Sequence, residues 1–232
     1  MKTVILAGGL GTRLRPLTQV IPKPLLPIGE QSILEITITR LRASGFREII
    51  MATNYKSHLF ENYFGDGSGW GVKISYSLET RKLGTAGPLK LVEKELKTPF
   101  LVINGDILTN FDFRKLKAFH VKNGAGLTVV TKVMETPLHY GVVKCRGSRV
   151  IKLEEKPVIY SEINAGIYFG SPEILGHIPK NRFYNMTDLI KTLIIKGKKV
   201  LKYELQDYWL DIGQIQDYRK AQEDIKKRYF KR

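Results

Sequence analysis

The chain has 232 residues, 43% of them hydrophobic, enough for a sizeable core in one large domain or two small ones. No stretch approaches the roughly 20 apolar residues of a membrane span, the start lacks a signal-peptide pattern, and a single cysteine, Cys145, excludes an internal disulfide, so a cytoplasmic setting is expected. Lysine and arginine number 38 against 22 acidic residues, a net charge of +16, but only the tail from Lys226 to Arg232 is clustered, which favours a surface that attracts phosphorylated substrates over a nucleic-acid partner.

The first element is a strand over Lys2–Ala7, an apolar run that reads as buried. It ends in Gly8, Gly9, Gly11, Thr12 and Arg13. The glycines allow a tight turn and close approach to a ligand, with N–H groups available to it. Arg13 and Arg15 add positive charge, and Pro22-Lys23-Pro24 holds a lysine on a stiff stem. Amides plus guanidinium suit a triphosphate. The dinucleotide pattern G-x-G-x-x-G fails, because starting from Gly9 its last position is Leu14, and no Gly-Lys-Ser/Thr of a P-loop occurs.

Ser32-Ile33-Leu34-Glu35 is a capping box that opens a helix running to about Ser44, where Gly45 stops it. A strand at Glu48–Thr53, a helix at Lys56–Phe64, a turn at Asp66-Gly67-Ser68-Gly69 and a strand at Val72–Ser77 follow. Then come a helix at Ala86–Leu96, a strand at Phe100–Asn104, a helix at Phe113–Lys122 and a strand at Leu127–Val133. This alternation argues for a mainly parallel sheet with helices on both faces. After Met134 short β segments dominate: Gly141–Cys145, Val150–Glu154 and Ile163–Phe169. A helix near Thr187–Lys196, a strand at Val200–Glu204 and a helix from about Gln214 into the tail complete the chain. No linker or repeat interrupts it, and it reads as one domain, 1–232, with a nucleotide half over about 1–134 and a second half over about 135–232.

Ligands of open parallel sheets bind beyond the carboxyl ends of the strands, and further motifs fall there. In Leu83-Gly84-Thr85-Ala86-Gly87 small residues let a flat ring lie against the backbone. Glu79 accepts hydrogen bonds only, which tilts it towards guanine, with its adjacent N1–H and N2–H donors; a surface glutamate is the alternative. Asn104-Gly105-Asp106 closes a strand opposite the phosphate loop, where Asp106 suits Mg²⁺. In Trp209-Leu210-Asp211-Ile212-Gly213 the apolar neighbours raise the cost of an unpaired carboxylate, which a cation offsets; helix capping is the alternative. Glu155-Lys156-Pro157 and Asn164-Ala165-Gly166 suit a sugar phosphate, with Lys156 for the phosphate and Glu155 and Asn164 for hydroxyls, against the alternative of a charged hairpin.

Together these motifs, in this order from Lys2 to about Ala221, resemble the sugar-1-phosphate nucleotidylyltransferases, the nucleotide-sugar pyrophosphorylases, and within them the mannose-1-phosphate guanylyltransferase-like group. The resemblance implies a Rossmann-like, three-layer α/β nucleotide-diphospho-sugar transferase fold with a mainly parallel mixed sheet. It implies that an NTP, with GTP favoured, and a hexose or heptose 1-phosphate give an NDP-sugar and pyrophosphate. Arg13, Lys23 and Asp106 are then catalytic. Leu6, Ala7, Gly8, Gly9, Gly11, Thr12, Glu79, Gly84 and Thr85 join Arg13 and Lys23 around the nucleotide. Asn104, Gly105, Gly141, Glu155, Lys156 and Asn164 face the sugar phosphate, and Asp106 and Asp211 hold Mg²⁺. Uridylyl or thymidylyl transfer and a non-catalytic nucleotide-sugar sensor remain as alternatives, and association into a homo-oligomer is left open. The chain departs from the pattern at Lys82, where many relatives have a proline, and it ends after its last helix, where several relatives continue into a β-helix or regulatory domain.

Overall fold

The fold is that of a computed structural model describing residues 1–54 and 56–227. Its centre is a seven-stranded sheet in the order β12-β8-β11-β6-β1-β4-β5. These are β1 (Lys2–Leu6), β4 (Glu48–Thr53), β5 (Lys73–Leu78), β6 (Phe100–Asn104), β8 (Leu127–Pro137), β11 (Val158–Gly170) and β12 (Val200–Glu204). β6, β1, β4 and β5 pair in parallel, as do β12 and β8, while β11 runs antiparallel to both its neighbours. The four parallel strands place their carboxyl ends on one edge, and the loops that carry Gly8 to Gly11, Glu79 and Asp106 leave from it.

Helices α2 (Ile33–Ala43), α3 (Ser57–Phe64) and α5 (Phe113–Asn123) lie on one face, where Leu34, Ile38, Phe60, Phe64, Phe113 and Leu116 share a core with Ile5, Met51 and Ile103. On the other face Leu89 of α4 (Gly87–Leu91) and Met186, Leu189 and Leu193 of α6 (Met186–Ile195) meet Val4, Ile50 and Val102. Alternate residues of β1 therefore feed opposite cores, as the strand period requires. The result is the three-layer α/β arrangement. The capping box at Ser32 and Glu35 forms, and Gly45, at φ 82, leaves α2 in the left-handed region that suits glycine.

The helix expected over Ala86–Leu96 is shorter, ending at Leu91 before a 3-10 turn at Glu93–Glu95. Val92 and Leu96, flanking that turn, are both buried in the second core. β8 and β11 run well beyond their expected ends, and their outer halves are largely exposed. A hairpin of β9 (Val142–Arg146) and β10 (Arg149–Glu154) is inserted between them.

Smaller elements build the platform under the site. The short helix α1 (Leu17–Val20) follows the glycine loop, and the ribbon β2 (Pro27–Ile28) with β3 (Gln31–Ser32) and the ribbon β7 (Ile107–Thr109) with β13 (Trp209–Asp211) gather around a third core. It contains Leu14, Leu26, Ile33, Leu108, Leu210, Ile212 and, from α7 (Ile215–Asp224), Ala221. The helix expected from Gln214 is α7; the basic tail at 228–232 lies outside the described residues. No helix among the described residues is long and apolar enough to cross a membrane. The expected boundary at 134/135 falls inside β8.

Candidate active site

The glycine loop begins where β1 stops. Ala7 N–H donates to Ala52 O at 2.8 Å, which carries the pairing with β4 one residue further. Gly11 has φ 60, and a Cβ there would stand 2.9 Å from Thr18 Cγ2 and 3.3 Å from Lys23 Cβ. Thr18 Oγ1 donates to Gly11 O at 2.7 Å. On the far side of Arg13, Leu14 is fully buried in the third core. The arginine thus stands between two anchored residues.

Lys23, only 7% exposed, is the hub of the site. Its Nζ donates to Asp106 Oδ2 at 2.5 Å and lies 3.9 Å from Asp211 Oδ1. The two aspartates, 105 positions apart, are held by the β7–β13 ribbon: Asp211 pairs with Ile107, and Ile212 N–H donates to Asp106 O at 3.1 Å. Arg13 reaches the same place, its guanidinium 3.7 Å from the position a Cβ on Gly213 would take. Burial pushes the Asp211 carboxyl above its ordinary range, the neighbouring Asp106 charge adds to this, and Lys23 and Arg13 oppose it. Helix capping does not occupy Asp211, because Asp217 Oδ2 accepts from Gly213 N–H at 3.1 Å and Gln214 N–H at 2.8 Å at the start of α7. One oxygen on each aspartate, Oδ1, is buried with no hydrogen-bond partner. Buried carboxylate oxygens without donors suit a cation. Among the described residues no group of three or more His, Cys, Asp or Glu could hold a metal, so the protein offers this pair.

Glu79 follows β5, its N–H donating to Thr53 O at 2.8 Å. Its carboxylate sits against Gly8, where a Cβ would come within 2.7 Å of Oε1. Burial pushes this carboxyl up to about 7, and a hydrogen bond from the Leu83 backbone works against the rise. Asn54 Nδ2 donates to Gly8 O, fixing the loop from the other side. The segment 83–87 is stitched to the entrance of α6: Tyr184 N–H donates to Leu83 O at 2.9 Å, and Ala86 and Gly87 N–H donate to Tyr184 O. Gly84, at φ 77, would put a Cβ 2.6 Å from Tyr184 O.

These segments enclose a cavity of about 740 Å³. Of the residues expected at a nucleotide, Leu6, Ala7, Gly8, Gly9, Gly11, Thr12, Arg13, Lys23, Glu79, Gly84 and Thr85 all line it, as do Asn104 and Asp106. Asp211 joins through Lys23. Gly105 does not line it; its N–H donates to Leu6 O at 2.9 Å and it packs beneath the loop. Gly141 and Glu155 adjoin each other, a Cβ on Gly141 falling 2.9 Å from Glu155 Oε2, but neither lines the cavity, nor does Lys156. The Asn164 side chain is engaged elsewhere, donating to Tyr168 Oη at 2.8 Å and accepting from Gly166 N–H at 3.0 Å. Asn164 lies within β11, outside the cavity lining. Arg81, Lys82 and Phe183 line the cavity without having been expected there.

Two lysines also stand out. Lys56 Nζ donates to the carbonyls of Thr18, Gln19 and Val20 at 2.9–3.3 Å. Lys132 Nζ donates to those of Leu205, Gln206 and Asp207 at 3.1–3.5 Å. The first secures the segment between Arg13 and Lys23; the second secures the approach to Asp211.

A model of the nucleotidyl transferase family matches residues 2–228. The chain belongs to that family. Within it, the chain is 40% identical over 228 residues to a mannose-1-phosphate guanyltransferase of Aspergillus oryzae and 37% identical over 227 residues to that of Neurospora crassa. Each match covers 94% of this chain, and the chain spans 62% of the length of each relative. Among solved structures, this nucleotidyl transferase fold resembles a protein assigned as a glucose-1-phosphate thymidylyltransferase from Bacillus anthracis. That match has a TM-score of 0.80 at 26% identity and covers 96% of this chain and 94% of that one. HddC from Yersinia pseudotuberculosis, complexed with GMP-PN, matches at a TM-score of 0.76 and 27% identity, covering 97% and 99%.

Proposed function

We propose that the chain is a cytoplasmic sugar-1-phosphate nucleotidylyltransferase that joins a nucleoside monophosphate unit, GMP by preference, to a mannose-1-phosphate-like sugar phosphate. The observation that carries this reading is the convergence of Lys23, Arg13, Asp106 and Asp211 beside a glycine loop at the carboxyl ends of parallel strands. In the reaction an oxygen of the sugar 1-phosphate attacks the α-phosphorus of the NTP. The bond from that phosphorus to its bridging oxygen breaks, and pyrophosphate leaves with the electron pair. The demand on the protein is to align the reactants and stabilise spreading negative charge. The glycine-loop amides and Arg13 meet the triphosphate, and Lys23 carries a fixed ammonium to the reacting centre. Asp106 and Asp211 would hold a divalent cation, Mg²⁺ in this reading, which supplies neutralisation of the phosphate oxygens. Glu79 at the cavity's edge meets a nucleobase, and the guanyltransferase names of the relatives support guanine.

Residues 1–134 supply most of the nucleotide cavity, and 135–232 the sugar half, where Gly141, Glu155 and Lys156 lie on the arm formed by the outer halves of β8 and β11 with the β9–β10 hairpin. Phe183 and Gly213 cross this division to line the nucleotide cavity. The test is a matrix of four NTPs against several sugar 1-phosphates, scored by pyrophosphate release. GTP with mannose 1-phosphate is expected to lead. Nucleotide binding without turnover anywhere in the matrix would favour the sensor instead.

A further inference from the structure

Phe183 is a large apolar side chain left 61% exposed on the wall of the cavity that contains Glu79. It does not serve the fold. Its neighbour Tyr184 packs against the second core and Met186 is buried within it, whereas among the described residues no aromatic ring contacts Phe183. Nor is its backbone loose. The adjoining Tyr184 N–H and carbonyl are tied to Leu83, Ala86 and Gly87 at 2.9–3.0 Å. Asn185 caps α6 one residue later, its N–H donating to Asp188 Oδ2 at 2.9 Å. The ring is therefore carried on the same fixed segment that packs against Gly84, where the Tyr184 carbonyl takes the place of a side chain. An exposed aromatic on a fixed backbone, lining the same cavity as the hydrogen-bond acceptor Glu79, has the two components of base recognition, a face and an edge.

Building on the nucleotide reading above, we propose that Phe183 is the surface on which the nucleobase stacks, and that it favours a purine over a pyrimidine. Stacking strength follows the ring area covered, so a two-ring base gains more from this face than a one-ring base. Glu79 then reads the edge of a base that Phe183 has already oriented. Neither residue discriminates as well alone: the carboxylate accepts from any suitably placed N–H, and the ring accepts any flat base.

The test is equilibrium titration of GTP and UTP into the full chain and its variants F183A, F183L and F183W, with kinetics alongside. F183A is expected to weaken GTP binding by roughly 5- to 100-fold and UTP binding by less, while kcat at saturating GTP and the KM for sugar 1-phosphate stay within about twofold. F183L, which keeps apolar bulk without a ring, should behave as F183A. F183W should restore affinity, its indole fluorescence quenched by GTP. Equal loss for GTP and UTP, a rise confined to the sugar phosphate KM, or unchanged GTP affinity in F183A would overturn the assignment. A parent protein that binds none of the four nucleoside triphosphates would instead overturn the nucleotide reading on which it rests.

Discussion

Replacing Gly8 by Ala tests whether Glu79 reads the base. The new Cβ would stand 2.7 Å from Glu79 Oε1 and 3.5 Å from its Cδ, while the next neighbour, Asn54 Nδ2, is 3.9 Å away. Ordinary contact begins near 3.4 Å, so the carboxylate must retreat by roughly 0.7 Å, and as the far end of a flexible side chain it can do so without moving the backbone. Stability should barely change, with a melting shift within about 2 °C. A charged hydrogen bond contributes about 1.5–3 kcal/mol, and moving its acceptor off line removes much of that. The kcat/KM for GTP should fall between about tenfold and a hundredfold. Inosine triphosphate lacks the N2 amino group and so has one donor fewer to lose, so the parent's preference for GTP over ITP should shrink in the variant. The assay is pyrophosphate release with each nucleotide under limiting concentration. Unchanged kcat/KM for GTP, or an equal fall for both nucleotides, would show that the carboxylate beside Gly8 does not read the guanine edge.

The remaining expectations use other parts of the site. Arg13→Ala should lower turnover by on the order of 10³-fold, as for loss of a group that stabilises developing charge; full activity would remove Arg13 from the mechanism. Glu79, pushed up to about 7 by burial, must be ionised to accept from guanine N1–H and N2–H. The kcat/KM for GTP should therefore rise about tenfold per pH unit below 7 and level off above it, and Glu79→Gln should flatten that limb. The same elevation means that, without ligand, Glu79 favours the folded state most below its ordinary range and that this contribution is lost as pH rises through about 7. Gly84→Ala combines a left-handed φ with a Cβ 2.6 Å from a backbone carbonyl, together about 2–5 kcal/mol, and should lower the melting temperature by about 4–20 °C; an unchanged melt would refute the steric account. Lys132→Met leaves the carbonyls of Leu205, Gln206 and Asp207 without their shared donor just before β13. A several-fold rise in the divalent-cation concentration for half-maximal activity is expected, with Lys132→Arg restoring it, and an unaltered cation dependence would confine Lys132 to the arm.

The parts legible in the sequence were those with a strong local cause. The apolar run into Gly8 and Gly9, the capping box at Ser32 and the alternation through Val133 all carry period or turn chemistry, and the parallel sheet follows from them. The elements that bring Asp106 to Asp211 carry no such signal. β7 and β13 are three residues each and pair only because a third core forms beneath them from Leu14, Leu108, Leu210 and Ile212, residues that no window along the chain brings together. The outer halves of β8 and β11 were missed for another reason. Exposed on both sides, they show no inside-outside alternation through Glu135, Thr136, Ser161 and Glu162. Lys56 and Lys132 could not be singled out among 38 basic residues, because what marks them is three converging carbonyls. Phe183 had no local cue either, since an apolar residue before a helix ordinarily reads as core.

The charge count of the site bears on why a cation belongs there. Arg13 and Lys23 face Asp106 and Asp211, so the central cluster is close to neutral and holds no surplus positive charge for a triphosphate. A nucleoside triphosphate brings about four negative charges, with a terminal phosphate near −2. Arg81 and Lys82, on the cavity wall, offset about half of that. With Glu79, also on the cavity wall, ionised against the base, about three negative charges remain, which a divalent cation would reduce, and the two buried Oδ1 atoms without donors suit such an ion. The raised Asp211 carboxyl points the same way: burial and Asp106 disfavour its charge when no cation is bound, and a bound cation would reverse that, so metal and proton should compete for the pair. Lys82 has a place in this charge pattern, since with Arg81 it brings positive charge to the cavity wall.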